Sequence, residues 1–387
     1  MAVSLSSSTA QRGKRVAFLF AHLHAGGMQK AVSNISCALP ASFEQFVVFF
    51  GSDNPGFSYR AQMVNLDVPG DLGTGPVRKA ANFRRRQRLL QEFIDTNRID
   101  TVVSFGEAAS VLNSLTKRKR TVLSVRVSVE EGLANAGWVR HIYRRLVQIL
   151  YRRADLVVPV SQALAEQMNR LYGVPAGKMR VIYNLYDIEK IRGLSLEPLP
   201  ADMEPVFESP IVVNVGSLIH QKGQEHLIRA FAIARKTAPE LRLVIVGRGE
   251  LESDLRALTA ALGLTGAIHF AGYDENPYRY LSRACMFVLT SRFEGFPNVL
   301  AEAMICGLPV IATDCKTGPR EILGDSQHGF LLPDICEQNA EDVERGIAAA
   351  IVRLACADCA RHYGDLAAAR AADFSQDRLV GEWVDAL

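Results

Sequence analysis

Residues 291–313 read Ser-Arg-Phe-Glu-Gly-Phe-Pro-Asn-Val-Leu-Ala-Glu-Ala-Met-Ile-Cys-Gly-Leu-Pro-Val-Ile-Ala-Thr and carry the clearest structural pattern of the sequence. An apolar, strand-like run precedes this stretch, a Gly-Phe-Pro turn lies within it, and an amphipathic helical pattern follows the turn. Strand, turn and helix in this order predict one unit of an open α/β sheet. In such sheets ligands bind outside the carboxyl ends of the strands, where this turn would lie.

Two carboxylates flank the turn, Glu294 in the predicted loop and Glu302 roughly two turns into the predicted helix. A helix N-terminus favours phosphate groups, and carboxylates accept hydrogen bonds from hydroxyls. This combination suits a nucleotide sugar. The alternative is a plain turn and a capped helix, with Glu302 as a solvated charge. The small residues Ala301 and Ala303 beside Glu302 favour the functional interpretation, because they allow tight packing.

The same alternation of apolar strands and helical patterns runs along the whole chain and predicts α/β architecture with parallel sheets. We expect a first domain over 1–195, a second over 196–373 and a C-terminal helix over 374–387. The connection lies in residues 193–209, which carry three prolines. A cleft between two such domains is the default ligand site. Predicted strands cover 16–20, 46–50, 101–105, 121–125 and 156–160, then 211–215, 243–246, 268–270, 286–289 and 310–312.

The composition is that of an ordinary soluble globular protein, with 48% hydrophobic and 22% charged residues among 387. The net charge of +3 is too small to predict nucleic-acid binding by itself. No apolar run approaches the roughly 18–20 residues of a membrane-spanning helix. Seven cysteines without regular spacing indicate reduced thiols, which predicts a cytoplasmic protein.

Basic residues are concentrated in the N-terminal half, in clusters at 84–88, 117–120, 144–145 and 152–153. Solvated helix faces are one interpretation of these clusters. An anionic membrane surface or an anionic acceptor is the other, and the sequence leaves both open.

Two further glycine-containing loops follow predicted strands. Gly26 and Gly27 follow the first strand, and Gly216 and Ser217 precede Lys222 in the second half. Glycine lets a backbone approach phosphate closely, and a lysine there would neutralise a diphosphate leaving group. Tight turns with a surface lysine are the plain alternative. No dinucleotide fingerprint, Walker lysine motif, Asp-x-Asp or His-x-x-x-His cluster occurs in the sequence. The single Cys-x-x-Cys of Cys356 and Cys359, with His362 nearby, lacks the fourth ligand of a zinc site. We therefore expect no cofactor and no catalytic metal.

Taken together, the motifs resemble family-4-type retaining glycosyltransferases with the GT-B architecture, two Rossmann-like domains facing across a cleft. The resemblance covers nearly the whole chain and is strongest over 211–333. It rests on Val-Gly-Ser-Leu followed by Gln-Lys-Gly, on Val-Gly-Arg-Gly, Phe-Ala-Gly-Tyr and Asn-Pro-Tyr, and on the stretch 291–313 quoted above. Gly-Gly-Met-Gln-Lys-Ala-Val at 26–32 and the strand before Ser161 also look similar.

The resemblance implies roles for individual residues. Glu294 would contact hydroxyls of the donor sugar, Glu302 the ribose hydroxyls, and Lys222 the donor diphosphate. Backbone groups would make the remaining contacts. The N–H groups of Gly295, Phe296, Asn298 and Val299 would bind the diphosphate. The backbone at Gly272 and Tyr273 would meet the nucleobase, and Gly26 and Gly27 would approach the reacting phosphate.

The sequence departs from the family pattern at two positions. Ser217 stands where the family commonly has an arginine beside Gly216, so either Arg248 compensates or phosphate binding is weaker. Arg126 stands where several members have a histidine. It would bind an anionic acceptor phosphate, or it would pair with Glu130 or Glu131. The catalytic residues we expect are Glu294, Lys222 and Arg126.

The implied function is transfer of a hexose or N-acetylhexosamine from a UDP-sugar to a glycan or lipid-linked acceptor, as in bacterial envelope polysaccharide assembly. The basic helix around 83–96 would then rest against an anionic membrane face or acceptor. Two alternatives remain: a sugar-nucleotide epimerase of the same fold, and a non-catalytic protein that binds nucleotide sugars.

Overall fold

The protein contains two parallel sheets, one in each half of the chain. The structure is a computed structural model and describes residues 13–22, 26–51, 56–68, 75–117, 119–128 and 139–387. The first sheet has six strands in the order β3-β2-β1-β4-β5-β6. Its elements are β1 (Lys14–Phe20), α1 (Gly27–Ala38), β2 (Phe43–Phe49), β3 (Gln62–Asn65), α2 (Pro76–Asn97), β4 (Thr101–Phe105), α3 (Glu107–Ser114), β5 (Arg120–Val125), α4 (Val139–Arg153), β6 (Leu156–Pro159) and α5 (Gln162–Tyr172).

The second sheet also has six strands, in the order β12-β11-β10-β7-β8-β9. The elements of this half are α6 (Ile188–Ser195), β7 (Ile211–Val215), α7 (Gln224–Ala234), β8 (Arg242–Val246), α8 (Glu252–Ala261), β9 (Ile268–Gly272), α9 (Tyr278–Leu281), β10 (Met286–Leu289), α10 (Asn298–Ile305), β11 (Val310–Thr313), α11 (Pro319–Leu323), β12 (Phe330–Leu332), α12 (Ala340–Leu354), α13 (Ala357–Ala371) and α14 (Gln376–Ala386). The predicted fold class of two doubly wound α/β sheets is confirmed.

In each sheet the order in which successive strands are added reverses at a central pair of strands. In the first sheet β1 pairs in parallel with β2 on one side and β4 on the other. In the second sheet β7 pairs in the same way with β8 and β10. Ligands bind at such switch points. The loop with Gly26 follows β1, and the loops with Lys222 and Glu294 follow β7 and β10, so the candidate residues lie at the two switch points.

The central strands are buried on both faces, which explains why they appear as continuous apolar runs in the sequence. Residues 16–20 of β1 and 286–289 of β10 are at most 1% exposed. Ser161 ends the run after β6, and its side chain accepts a hydrogen bond from the N–H of Leu164 at 3.3 Å. Ser161 is therefore the N-cap of α5.

The connection between the halves is packed rather than loose. Leu199, Met203 and Val206 of the predicted linker are buried in a cluster that also contains Val213 of β7 and Leu300 of α10. The proline-rich segment is thus part of the core of the second half. The domain limits at 195/196 and 373/374 stay a prediction.

The chain passes between the halves twice. On the second passage Tyr186 donates its N–H to the carbonyl of Phe374 at 2.9 Å, and Gln376 donates to the carbonyl of Tyr186 at 2.8 Å. Helix α14 then packs on the first half, where Trp383 is fully buried beside Val16. Within the described part of the chain, no helix combines the length and apolar character that a bilayer crossing requires.

Candidate functional site

A cavity of about 520 Å³ lies between the carboxyl edges of the two sheets and is lined by residues of both halves. All the predicted site residues except Gly272 line it. Gly272 ends β9, and its carbonyl accepts the N–H of Gly247 at 2.7 Å. The residues that line the cavity as predicted are Gly26, Gly27, Arg126, Gly216, Ser217, Lys222, Arg248, Tyr273, Glu294, Gly295, Phe296, Asn298, Val299 and Glu302.

The two residues predicted to hold the donor diphosphate and sugar contact each other. Lys222 ends a short 3₁₀ turn after β7, and its Nζ donates to Oε1 of Glu294 at 2.6 Å. The same oxygen accepts the hydroxyl of Ser291 at 2.7 Å. The Glu294 side chain is only 8% exposed. A charge-assisted pair therefore fixes both side chains before any ligand enters.

Glu302 lies in the second turn of α10 and pairs with the opposite half of the molecule. Its Oε1 lies 2.7 Å from Nζ of Lys30 in α1. Burial disfavours the charge of Lys30, but Glu302 and Tyr278 more than offset this effect, so the pKa of Lys30 is raised. Lys30 was missed in the sequence, where its only signal is a position one helical turn after the first glycine pair.

Asn298 joins the first turn of α10 to the first half of the chain. Its Oδ1 accepts hydrogen bonds from Nδ2 of Asn184 at 2.6 Å and from the hydroxyl of Tyr186 at 2.7 Å. Its Nδ2 donates to the carbonyl of Gly27 at 2.9 Å. The sequence predicted a role only for the backbone N–H of Asn298, and Asn184 was not predicted at all. The side chains hold the two walls of the cavity together.

Arg126 is a buried cation that meets no carboxylate among the described residues. Its Nη1 donates to Oδ1 of Asn184 at 2.6 Å, while Nε and Nη2 have no hydrogen-bond partner in the described part of the chain. The guanidinium lies 5.6 Å from the ring centre of Phe105 and 5.7 Å from that of Trp383. Burial lowers the pKa of Arg126 to about 10.

No carboxylate among the described residues pairs with Arg126. The predicted alternative partners, Glu130 and Glu131, lie outside the described residues. An unsatisfied guanidinium that is buried in a cavity wall is costly. An anion entering the cavity would satisfy its free N–H groups.

The wall of the cavity around Arg126 accepts only glycine at position 295. A Cβ atom at Gly295 would lie 1.7 Å from the carbonyl oxygen of Arg126, a distance no real contact reaches. The same holds at Gly247, where a Cβ would lie 1.9 Å from the carbonyl oxygen of Gly216. Both glycines are therefore required by close backbone approach.

Ser217 contributes no charge at the position of the family arginine, but Arg248 lies in the same cavity. The Arg248 guanidinium lies 4.7 Å from the ring centre of Tyr273, and both side chains are exposed. Next to them, the first N–H groups of α10 have no partner within the helix. Their dipoles favour a negatively charged group. Cations and backbone donors thus line this part of the cavity.

Two family models match the chain. The model of Glycosyltransferase Family 4 matches residues 25–190, and the model of Glycosyl transferases group 1 matches residues 202–353. Between them they cover every strand of the two sheets except β1 (Lys14–Phe20), and together they contain the residues of the cavity described above.

Individual glycosyltransferases are also similar. An uncharacterized glycosyltransferase of Haemophilus influenzae is 28% identical over 96% of this chain and 99% of its own. The N-acetylgalactosamine-N,N'-diacetylbacillosaminyl-diphospho-undecaprenol 4-alpha-N-acetylgalactosaminyltransferase of Campylobacter jejuni is 35% identical over 187 residues. That match spans 48% of this chain and 49% of the relative.

Solved structures show the same fold. HepE of Anabaena, in complex with UDP and glucose, matches with a TM-score of 0.74 at 19% identity, over 96% of this chain and 98% of its own. Sucrose-phosphate synthase of Thermosynechococcus elongatus matches with a TM-score of 0.76 at 19% identity, over 96% and 98%. The chain therefore belongs to the glycosyltransferases, with a family 4 domain and a group 1 domain in the GT-B arrangement.

Proposed function

We propose that this glycosyltransferase is a retaining, metal-independent enzyme that moves a hexose or N-acetylhexosamine from a UDP-sugar to a glycan or lipid-linked acceptor. The observation that carries the proposal is the contact of Lys222 with Glu294 at 2.6 Å, in one cavity with the unsatisfied guanidinium of Arg126. A cation for the leaving group and an acceptor for sugar hydroxyls thus stand side by side.

The donor would bind mainly to the second half. In this proposal Glu294 accepts hydrogen bonds from sugar hydroxyls, and Lys222 shifts from Glu294 to the diphosphate when the donor enters. The N–H groups at the start of α10 and the Arg248 guanidinium add positive potential there. Together they stabilise the negative charge that develops on the departing phosphate.

The acceptor would enter from the first half, past Gly26, Gly27 and Arg126. Its hydroxyl would attack the face of the sugar that the diphosphate leaves, and the leaving phosphate oxygen would take its proton. This route retains the configuration at the anomeric carbon. Arg126 supplies a buried cation on that side, suited to a phosphate of the acceptor or of the donor.

The nature of the donor and acceptor is supported by similar proteins. HepE is described in complex with UDP and glucose, and the Campylobacter jejuni relative is named as acting on a diphospho-undecaprenol-linked sugar. Both agree with a UDP-sugar donor and a lipid-linked acceptor for this chain.

The test is a UDP-release assay across nucleotide sugars, with and without lipid-linked acceptors. We expect release that depends on acceptor, a product that keeps the anomeric configuration by NMR, and unchanged rates in EDTA. Lys222→Met should lower kcat by about 100-fold, the size of losing one charge-stabilising donor, whereas the exposed Lys236→Met should change nothing.

Each alternative has its own signature in that assay. An epimerase would interconvert nucleotide sugars without acceptor. A binding protein would bind UDP but release none from any donor, and Glu294→Gln would then affect affinity only. An inverted product would refute the retaining mechanism.

The membrane contact we propose involves α4 rather than α2. The outward face of α4 places Leu146, 41% exposed, and Ile149, 53% exposed, among exposed arginines at 145, 152 and 153. Apolar side chains among basic ones are typical of helices that lie on anionic membranes. The arginines of α2, at 84, 85 and 88, are also exposed, but the exposed large apolar side chain of that helix, Val77, lies about two turns before them.

Liposome co-sedimentation distinguishes the two helices. Leu146→Glu with Ile149→Glu should abolish binding to vesicles that contain anionic lipid, while replacing the α2 arginines with glutamate should weaken it only at low salt. If the variant with both α4 substitutions still bound these vesicles, this part of the proposal would be refuted.

A further inference from the structure

A buried histidine lies directly behind the two loops that carry Lys222 and Glu294. His226, in the first turn of α7, is 8% exposed and has both ring nitrogens occupied. Nδ1 lies 2.8 Å from Oε1 of Glu344 in α12, and Nε2 lies 2.8 Å from Nη2 of Arg292. The sequence predicted no role for this histidine.

The two partners determine the tautomer of His226. An ionised carboxylate only accepts hydrogen bonds and a guanidinium only donates them. Nδ1 must therefore carry the proton and donate to Glu344, and Nε2 must accept from Arg292. The tautomer with the proton on Nδ1 satisfies both hydrogen-bond partners, while Oε1 of Glu225 lies farther from Nε2, at 3.7 Å.

Arg292 connects His226 to the loops of the donor site. Its backbone N–H donates to the carbonyl of Gln221 at 2.8 Å, and its Nη2 also donates to Oε1 of Glu225 at 2.5 Å. Gln221 in turn donates from Nε2 to the carbonyl of Phe293 at 2.9 Å. The loop after β7 and the loop after β10 are thus held together at the residues next to Lys222 and Glu294.

We infer that His226 is a positioning residue of the donor site, which holds Arg292 through Nε2 and so fixes the distance between Lys222 and Glu294. The inference rests on the proposed function, in which these two residues bind the diphosphate and sugar. Glu344 contributes by orienting the imidazole, much as a carboxylate orients a catalytic or metal-bound histidine. His226 itself does not touch the donor.

Two substitutions test the roles of Nδ1 and Nε2 of His226 separately. His226→Asn keeps a donor for Glu344 but removes the acceptor for Arg292, whereas His226→Gln places an amide oxygen near the Nε2 position. By calorimetry with UDP, His226→Asn should raise Kd about tenfold and His226→Gln less than threefold. His269→Asn, a histidine outside the cavity that contacts Arg242, is the matched control and should leave Kd unchanged.

A double variant distinguishes positioning from general damage. If His226 acts through Lys222, adding His226→Asn to Lys222→Met should cost no further affinity, because coupled residues are not additive. In the wild type, ¹⁵N NMR of His226 should show a protonated Nδ1 and an unprotonated Nε2.

Three results would overturn the inference while leaving the proposed function intact: equal Kd values for the asparagine and glutamine variants, additive losses in the double variant, or a protonated Nε2. Failure of the wild type to bind UDP would instead refute the proposed function itself.

Discussion

Replacing Lys30 with methionine would leave a buried carboxylate without its counter-charge. Glu302 is 3% exposed on its side chain, and its Oε1 lies 2.7 Å from Nζ of Lys30, which is 23% exposed. Methionine has nearly the length of lysine, so the packing against Tyr278 is largely kept. The main change is therefore electrostatic.

The size of the effect follows from burial. Breaking a buried ion pair by removing one partner costs about 3–5 kcal/mol. Because Lys30 and Glu302 belong to opposite walls of the cavity, opening the cleft would hydrate Glu302 and relieve this cost. A relief of about 3 kcal/mol would raise the ratio of open to closed molecules more than 100-fold.

Small-angle X-ray scattering and thermal unfolding measure both consequences. We expect Lys30→Met to have a larger radius of gyration than the wild type and a lower Tm. Lys30→Met with Glu302→Gln should recover most of the loss, because the unpaired charge is gone. The exposed Lys236→Met serves as control. A Lys30→Met variant as compact and as stable as the wild type would refute the reasoning, and so would a double variant no better than the single one.

Other predictions concern separate contacts. Burial lowers the pKa of Lys119 from 10.5 to about 7, so over that range the unfolded chain binds more protons and the free energy of unfolding rises with pH. Lys119→Met should flatten this rise in urea unfolding; an unchanged slope contradicts it. Glu321 of α11 accepts the first N–H groups of α5 at 2.8 and 2.9 Å, so Glu321→Ala should cost about 1 kcal/mol of stability, like loss of a cap. A Tm equal to that of the wild type would disprove this. Gly295→Ala should force the cavity walls apart and weaken UDP binding in calorimetry, since its Cβ would lie 1.7 Å from a backbone oxygen; wild-type affinity would show that the clash is absorbed elsewhere.

The strands that could be predicted from the sequence are those buried on both faces. The predicted ranges 101–105, 211–215 and 286–289 coincide with β4, β7 and β10, because continuous apolar runs have few other interpretations. The edge strand β3 was missed. Its burial pattern is mostly exposed, so no apolar run marks it. Helix α2 begins at Pro76, well before the predicted 83, where the proline is compatible with a first helical turn.

The candidate site was predictable where the chain itself brings residues together. Glu294 and Glu302 are joined by one turn and one helix, so their common placement followed from local pattern. Lys30, Asn184 and His226 act across elements far apart in sequence, and apart from the position of Lys30 one helical turn after the first glycine pair, nothing local marks them. Their positions are explained only by contacts in the folded chain: the ion pair of Lys30 with Glu302, and the hydrogen bonds of Asn184 with Asn298 and of Arg292 with His226.

The return of α14 to the first sheet has a consequence for biosynthesis. Thr101 of β4 donates its hydroxyl to the carbonyl of Leu387, a contact that spans 286 positions, and Trp383 fills the core beside Val16. The first six strands are therefore synthesised long before the residues of α14 that cover them. Such distant contacts form slowly. We expect the second half, which is synthesised before α14, to complete its core before the first half does.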